Sequence, residues 1–360
     1  MNVLNKNFKN SHILIIGSGI IGKFNALELS KQGFKITIVD SEKSNNCSNA
    51  ALGLLIGNMY QKSQGRSWEL REKSIELWPK WIKFLQQYNK KLNIDKPLIQ
   101  LTTDQRKFEK LSKFCYSHPS RDLCVLEQNS TIIQNINKVF NINNLKGLIS
   151  NQDGRIDPIS LLKTINIYLK ESKINFINEE IVKIKKINNQ WISKCSNKYE
   201  ITSDVIILCN SLDSMKLLDF EDHNIKLKPV LGQAIKVSIK EEEIDLLSLP
   251  RHFSIDGKNF LPINKKDLII GSTDEYNLEP KENTFDELTG FLENKPQWLN
   301  KNNITKEWFG IRSRPEGEPS PILKSLERGL ILCTGFYKNG ILLAPACSNW
   351  ILKEVKKHFL

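Results

Sequence analysis

The chain has 360 residues, 40% of them hydrophobic and 26% charged, and a formal net charge of +12 from 52 Lys and Arg against 40 Asp and Glu. That length suits about two domains with sizeable cores, and the composition excludes a disordered or fibrous chain. Because the lysines are scattered among asparagines without a sustained basic block, the charge reads as a solvated surface that attracts anionic ligands, and no nucleic-acid partner is expected.

The first ten residues, MNVLNKNFKN, are polar and lack the apolar core of a signal peptide. The longest apolar stretch, around Ile13 to Ile21, is broken by glycines and too short to cross a bilayer. A cytoplasmic protein with no membrane partner is the expectation. Ile13 to Ile16 reads as a strand buried on both faces. Gly17, Gly19 and Gly22 follow with the spacing G-x-G-x-x-G, and the pattern turns helical at Ile20, Phe24 and Leu27. Gly33 ends that helix, and Lys35 to Val39 is a second strand that closes on Asp40. In this arrangement Gly17 makes a tight turn, Gly19 lets the backbone approach a pyrophosphate, and Gly22 lets the helix pack close on the strand. The helix N-terminus aims N–H groups and a positive dipole end at the phosphates. Asp40 stands near the spacing of roughly 20 residues at which a carboxylate accepts hydrogen bonds from a ribose diol. The motif alone allows NAD, NADP or FAD.

Cys47 to Leu55, CSNAALGLL, is a run of small residues ending in apolar ones. It suits either a backbone lying against a flat ring system or tight packing at a helix start. Trp68 to Leu92 is helical, with Trp78, Trp81, Ile82, Leu85 and Tyr88 on one stripe that belongs to a core. Lys107 to Cys115 is another helix, and since neither resembles the opening βαβ unit, a second domain is expected to begin near residue 60. Asp157 and Pro158 are the N-cap and first position of a helix running to about Lys170. Ile174 to Ile177 is a strand, Ile181 to Lys186 and Trp191 to Cys195 form a hairpin around Asn188 and Asn189, and Val205 to Cys209 is a buried strand; these return to the first domain. Lys228 to Ile239, Phe253 to Ile255, Phe260 to Ile263 and Leu268 to Ser272 read as an antiparallel sheet. Thr284 and Glu287 make a capping box, and Trp308 to Arg314 is that sheet's last strand. Gly329 to Gly335 is a buried strand, and beyond Gly340 lies an amphipathic helix with Leu343, Cys347, Ile351 and Val355 inward. The seven cysteines contain no CxxC and no histidine at zinc spacing, which argues for reduced thiols and no structural metal.

GSGIIG with Asp40, SNAALGLL, GRIDP, PVLGQ from Pro229 to Gln233, LIIGST from Leu268 to Thr273, GIRSRPEGEPSP from Gly310 to Pro321 and GFYKNGILLAPA from Gly335 to Ala346 together resemble the D-amino-acid oxidase family of flavoproteins, and within it the glycine oxidases of thiamine biosynthesis. The match spans nearly the whole chain, and the final segment is its most specific part. The resemblance implies an α/β fold. A Rossmann-like FAD-binding domain of glutathione-reductase type would take residues 1–60, 150–215 and 322–360, and an α+β substrate domain on an antiparallel sheet would take 61–149 and 216–321. It implies a noncovalent FAD against Gly17, Gly19, Ile20, Ile21, Gly22, Asp40, Ser48, Ala50, Ala51, Gly53, Leu54 and Val182, and against Gly335, Lys338, Asn339, Gly340, Ile341 and Leu342. Arg312, Lys338 and Asn259 are the implied catalytic residues.

An amino acid held with its Cα–H over flavin N5 passes hydride to nitrogen, a step that positioning accelerates and that needs no nucleophile or metal. A guanidinium suits the carboxylate because its planar fork binds both oxygens, and Arg312 matches the family's carboxylate-binding arginine. Arg314 shares its strand face by period-two alternation and is secondary. Asn339 and Gly340 would open the last helix beneath the flavin, with the positive dipole end near the ring's C2 carbonyl. The chain departs from the family in carrying Phe336 and Lys338 where glycine oxidases usually have His and Arg, Asn259 where many relatives have Tyr, and Asn210, Ser211 and Asp213 after the strand ending at Cys209. None of the five histidines (12, 118, 223, 252 and 358) falls in these motifs, so no histidine base is expected and each is read as solvated or core. The implied reaction is oxidation of glycine or a small amino acid with molecular oxygen as acceptor, giving hydrogen peroxide and an imino acid for thiazole formation. The sequence is compatible with a homo-oligomer. Alternatives are a dehydrogenase of D-amino or N-methyl amino acids with another acceptor, a tRNA-modifying flavoprotein, and a silent flavin-binding relative.

Overall fold

Local patterning builds the opening strand–helix–strand unit of the molecule. In this computed structural model, which describes residues 11–41, 47–218, 225–240, 244–276 and 278–359, the apolar run His12–Ile16 is a central strand with every residue after His12 buried. The N-terminal decapeptide and His223 lie outside the described residues. The glycine turn feeds the helix Ile20–Ser30, which returns the chain to Lys35–Val39, paired parallel with the first strand at Ile13↔Ile36. On the other side Val205–Leu208 pairs parallel at Ile13↔Val205. The six-stranded sheet runs Ile322–Glu327, Leu330–Thr334, Val205–Leu208, His12–Ile16, Lys35–Val39, Asn175–Ile177, with only the Ile322–Glu327 edge antiparallel.

The helices that cover this sheet carry the expected apolar faces. Leu343, Cys347, Ile351 and Val355 of the terminal helix Gly340–His358 are all buried. Phe24 packs edge-on to Trp78 and Trp81, with centroids 5.6 and 5.4 Å apart, and the Trp78 indole N–H donates to the Leu342 carbonyl at 2.9 Å. The helix holding those tryptophans runs Arg66–Leu85 and stops short of Leu92, which is buried in the turn that follows. Asp157 caps the helix Pro158–Glu171 by accepting from the Ser160 N–H at 2.8 Å. Asn188 and Asn189 adopt φ of 49° and 64°, the pair of left-handed residues that a two-residue hairpin turn requires. They join Ile181–Ile187 to Gln190–Cys195 in a separate three-stranded sheet.

An eight-stranded sheet forms the second part. Its order is Ile304–Glu316, Lys226–Ser238, Asp267–Gly271, Lys258–Pro262, Phe253–Ile255, Leu98–Thr102, Lys146–Ser150, Leu123–Leu126. The expected antiparallel sheet is therefore extended by three strands, and one pair, Phe253–Ile255 with Leu98–Thr102, is parallel. Phe140, Phe253, Phe260 and Trp298 form its aromatic centre, with Phe253 and Phe260 stacked at 5.3 Å. The expected capping box does not form. Thr284 is the first residue of the helix Thr284–Thr289, Asn283 takes the N-cap position without a side-chain cap, and the Thr284 hydroxyl donates to the Lys281 carbonyl at 2.9 Å. We propose that the two large sheets mark two domains, and that Arg66–Leu85 goes with the six-stranded sheet, whose core Trp78, Trp81, Ile82 and Leu85 share. No helix among the described residues is long and apolar enough to cross a membrane.

Candidate functional site

The glycine turn is built for close approach. Gly17 sits at φ 104°, where a Cβ would meet the Cys209 carbonyl carbon at 2.7 Å, and a Cβ on Gly22 would lie 1.9 Å from the Gly17 oxygen. The Asp40 carboxylate accepts from the Ser18 N–H at 2.5 Å, tying the end of the second strand to the turn. Gly19 is the N-cap of the first helix and offers no side chain, and the Ser48 hydroxyl accepts from the Ile20 N–H instead, at 3.0 Å. Small residues let the following segment lie close: a Cβ on Gly310 would come within 2.7 Å of the Ala50 Cβ.

These elements wall a cavity of about 870 Å³ that also reaches the second sheet, a volume in the range of cofactor sites. From the sites read in the sequence, Gly17, Gly19, Ile20, Ile21, Asp40, Ser48, Ala50, Ala51, Gly53 and Leu54 line it, as do Asn259, Arg312, Lys338, Asn339, Gly340 and Ile341. Gly22, Gly335 and Leu342 do not line it. Val182 does not line the cavity: its side chain is 50% exposed on the hairpin, and Ile181, pointing the other way by strand alternation, takes the inner position. A glycine cradle with no room for a Cβ, a helix N-terminus and a carboxylate bound to that turn fit the pyrophosphate and ribose of a dinucleotide.

Arg312 extends from the strand Ile304–Glu316 over Gly232, where a Cβ would sit 1.9 Å from its Nη2. Its side chain is only 13% exposed. Nη2 donates to the Ser272 hydroxyl at 2.6 Å, and Nη1 to the Thr273 carbonyl and the Asp274 carboxylate, both at 3.2 Å. Burial lowers its pKa while the Asp274 charge works against that, and a guanidinium remains charged throughout. Lys338 reaches the same Asp274 at 2.8 Å, and the Tyr337 hydroxyl donates to both its oxygens at 2.8 and 2.6 Å. Burial first, then the Asp274 hydrogen bond and charge, raise the Tyr337 phenol. Arg314 turns to the Tyr276 hydroxyl and the Tyr337 ring and does not line the cavity.

Among the cavity residues that the sequence reading did not place there are Arg71 and His252. Arg71 is buried, with Nη1 on the Ile56 carbonyl at 2.6 Å, Nη2 on the Asn339 side-chain oxygen at 2.8 Å, and its guanidinium 3.9 Å from the Tyr60 ring centre. It thereby fixes the N-cap of the terminal helix. A cation on the apolar stripe of Trp78, Ile82 and Leu85 was its available signal. His252, only 1% exposed, is a core histidine as expected, yet it stands in the cavity wall. Its Nε2 faces the Asn259 amide oxygen at 3.3 Å, the Asn259 amide nitrogen donates to the Gly271 carbonyl at 2.9 Å, and Nδ1 has no hydrogen-bond partner among the described residues.

Burial holds the His252 imidazole at about 4, against an ordinary value of 6.5. The unfolded chain therefore binds a proton that the folded chain refuses as pH falls from 6.5 toward 4. Lowering the pH from 7 to 5 is expected to cost about 2 kcal/mol of stability through this residue alone. Urea melts of the wild type and His252→Gln at the two pH values check this, and equal losses in both would refute it.

A family model described as DAO, FAD dependent oxidoreductase, matches residues 12–353. The bifunctional protein ThiO/ThiG of Trichormus variabilis (strain ATCC 29413 / PCC 7937) is 23% identical over an alignment of 351 residues that covers 92% of this chain and 51% of that protein. The chain thus spans about half the length of the curated relatives it matches. Among solved structures, glycine oxidase from Bacillus cereus ATCC 14579 is similar with a TM-score of 0.82 at 20% identity, covering 97% of this chain and 95% of that one. Iminodiacetate oxidase from Chelativorans sp. BNC1 gives 0.80 at 16% identity, covering 96% and 95%. At these identities the solved structures establish the fold.

Proposed function

Since the chain belongs to the DAO family of FAD-dependent oxidoreductases, we propose that its substrate is glycine or another small amino acid, oxidised at the Cα–N bond. The observation that carries this reading is Arg312, a largely buried arginine that lines the same cavity as the glycine cradle. FAD, when bound, supplies a two-electron acceptor for hydride from the substrate Cα. The turn at Gly17 and the helix N-terminus hold the pyrophosphate, and Asp40 takes the adenosine ribose. The opening of the terminal helix, fixed by Arg71 through Asn339, presents a positive dipole end to negative charge developing on the ring system. Arg312 binds the substrate carboxylate, and Asn259, backed by His252, walls the same sheet face. Near pH 7 His252 is neutral, and its Nε2 contact with the Asn259 amide oxygen holds that side chain in place.

We extend the reading to a noncovalent FAD, to molecular oxygen as acceptor with hydrogen peroxide and an imino acid as products, and to use of that imino acid in thiazole formation. The likeness to glycine oxidase and to ThiO/ThiG proteins supports this. Acid precipitation of the purified protein is expected to release its flavin into the supernatant. Anaerobic addition of glycine is expected to bleach the flavin absorbance, with readmitted air restoring it and generating peroxide. A flavin that stays oxidised in excess glycine, sarcosine and D-alanine would overturn the substrate class.

A further inference from the structure

Behind Arg312, Tyr337 and Lys338, which line the cavity, stands a carboxylate that binds all three. Asp274 follows the strand Asp267–Gly271 and lies between two buried residues, Thr273 and Glu275, whose backbones are pinned. The Thr273 N–H donates to the Gln233 carbonyl at 3.1 Å, and Glu275 exchanges backbone hydrogen bonds with Leu231 at 2.8 and 2.9 Å. The Glu275 carboxylate turns away to the Thr273 hydroxyl at 2.6 Å and the Gln233 amide at 2.9 Å. Asp274, with 37% of its side chain exposed, is thereby directed to Arg312, Lys338 and Tyr337. Burial works against its charged form, but the Lys338 and Tyr337 hydrogen bonds and the two cations outweigh it and hold the carboxyl below the usual range.

The charges at this end then count simply. Of the groups bound to Asp274, Arg312 and Lys338 are two cations, and Asp274 neutralises one of them while engaging one branch of the Arg312 fork; Arg314 is turned aside to Tyr276 and does not line the cavity. The remainder is a single positive charge, the complement of a single substrate carboxylate. We propose that Asp274 is the specificity determinant of this site: it takes the place of a second carboxylate between Arg312 and Lys338, so the site admits amino acids with one carboxylate and rejects dicarboxylic ones. This rests on the reading of Arg312 as the carboxylate anchor. Rejection comes from the electrostatic cost of placing a further anion beside Asp274, with Lys338 already bound to that carboxylate.

The test is calorimetric titration of the FAD-loaded protein with acetate and with malonate, which carry one and two carboxylates and are not oxidised. Asp274→Asn keeps the shape and an acceptor for the Tyr337 hydroxyl while removing the charge. It is expected to move the malonate-to-acetate affinity ratio toward malonate by about tenfold or more. Adding Lys338→Met to Asp274→Asn restores the charge count and is expected to return the ratio to near the wild-type value. Asp274→Ser gives the same comparison if the Asn variant loses flavin. A ratio unchanged in both single variants, or a shift that persists in full after Lys338→Met, overturns the proposal. Acetate binding that survives Arg312→Ala undiminished would instead remove the anchor on which it rests, a failure read from a different variant.

Discussion

Gly22→Ala is expected to yield a protein that no longer retains FAD and is less stable by about 3 kcal/mol or more. The added Cβ would lie 1.9 Å from the Gly17 oxygen and 3.3 Å from the Ile15 side chain. A backbone oxygen cannot rotate aside as a side chain would. The Gly17 N–H is bound to the Val39 carbonyl at 2.8 Å, and the space behind Gly17 is filled by the Cys209 backbone, whose own N–H is held by the Ile16 carbonyl at 2.8 Å. Relief therefore requires the helix Ile20–Ser30 to lift from the sheet, which separates Phe24 from Trp78 and Trp81 and moves the N-terminus away from the phosphates. The 450 nm to 280 nm absorbance ratio after gel filtration and the urea midpoint measure the two effects. Gly33→Ala provides the contrast, because φ is 87° there but nothing lies within 4 Å. It is expected to cost about 1 kcal/mol in backbone strain and to keep the flavin. Wild-type flavin content and midpoint in Gly22→Ala would disprove the close-packing account.

Arg312→Ala is expected to leave FAD bound and to weaken substrate capture by about 2 to 5 kcal/mol, the usual cost of removing one partner from a buried charge pair. The guanidinium occupies space kept open by Gly232 and is fixed by Ser272 and Thr273, so it is positioned before any ligand arrives. Arg312→Lys is expected to recover little, since an ammonium offers a point charge in place of a fork and must span the space the guanidinium filled. Stopped-flow reduction at varied glycine concentration reads the loss as a higher half-saturation concentration. Unchanged half-saturation with normal flavin content would take Arg312 out of the site.

The parts of this molecule that were legible in the sequence are those whose contacts are local. The first βαβ unit, the Asp157 cap, the Asn188–Asn189 turn and the inward face of the last helix all follow from spacing within one or two turns of chain. Leu98–Thr102, Leu123–Leu126 and Lys146–Ser150 were not legible, because their sheet is completed by pairing with Phe253–Ile255 far along the chain and in the parallel sense. Val182 shows how little separates success from failure in a strand. One step along it exchanges an inward Ile181 for an outward neighbour. Asp274 and Glu275 are adjacent and chemically alike, and only the backbone bridge between Leu231 and Glu275 decides which carboxylate faces Arg312. His252 gave no signal at all, since its place in the wall depends on a hairpin partner, Asn259, that the family pattern fills differently.

The strand Leu330–Thr334 sits inside the six-stranded sheet, between Val205–Leu208 and Ile322–Glu327, and the residues after it complete the cavity wall from Phe336 to Ile341. The cavity is therefore walled by segments from opposite ends of the sequence, the glycine turn at Gly17 and the stretch from Phe336 to Ile341, which only the pairing of strands within one sheet brings together.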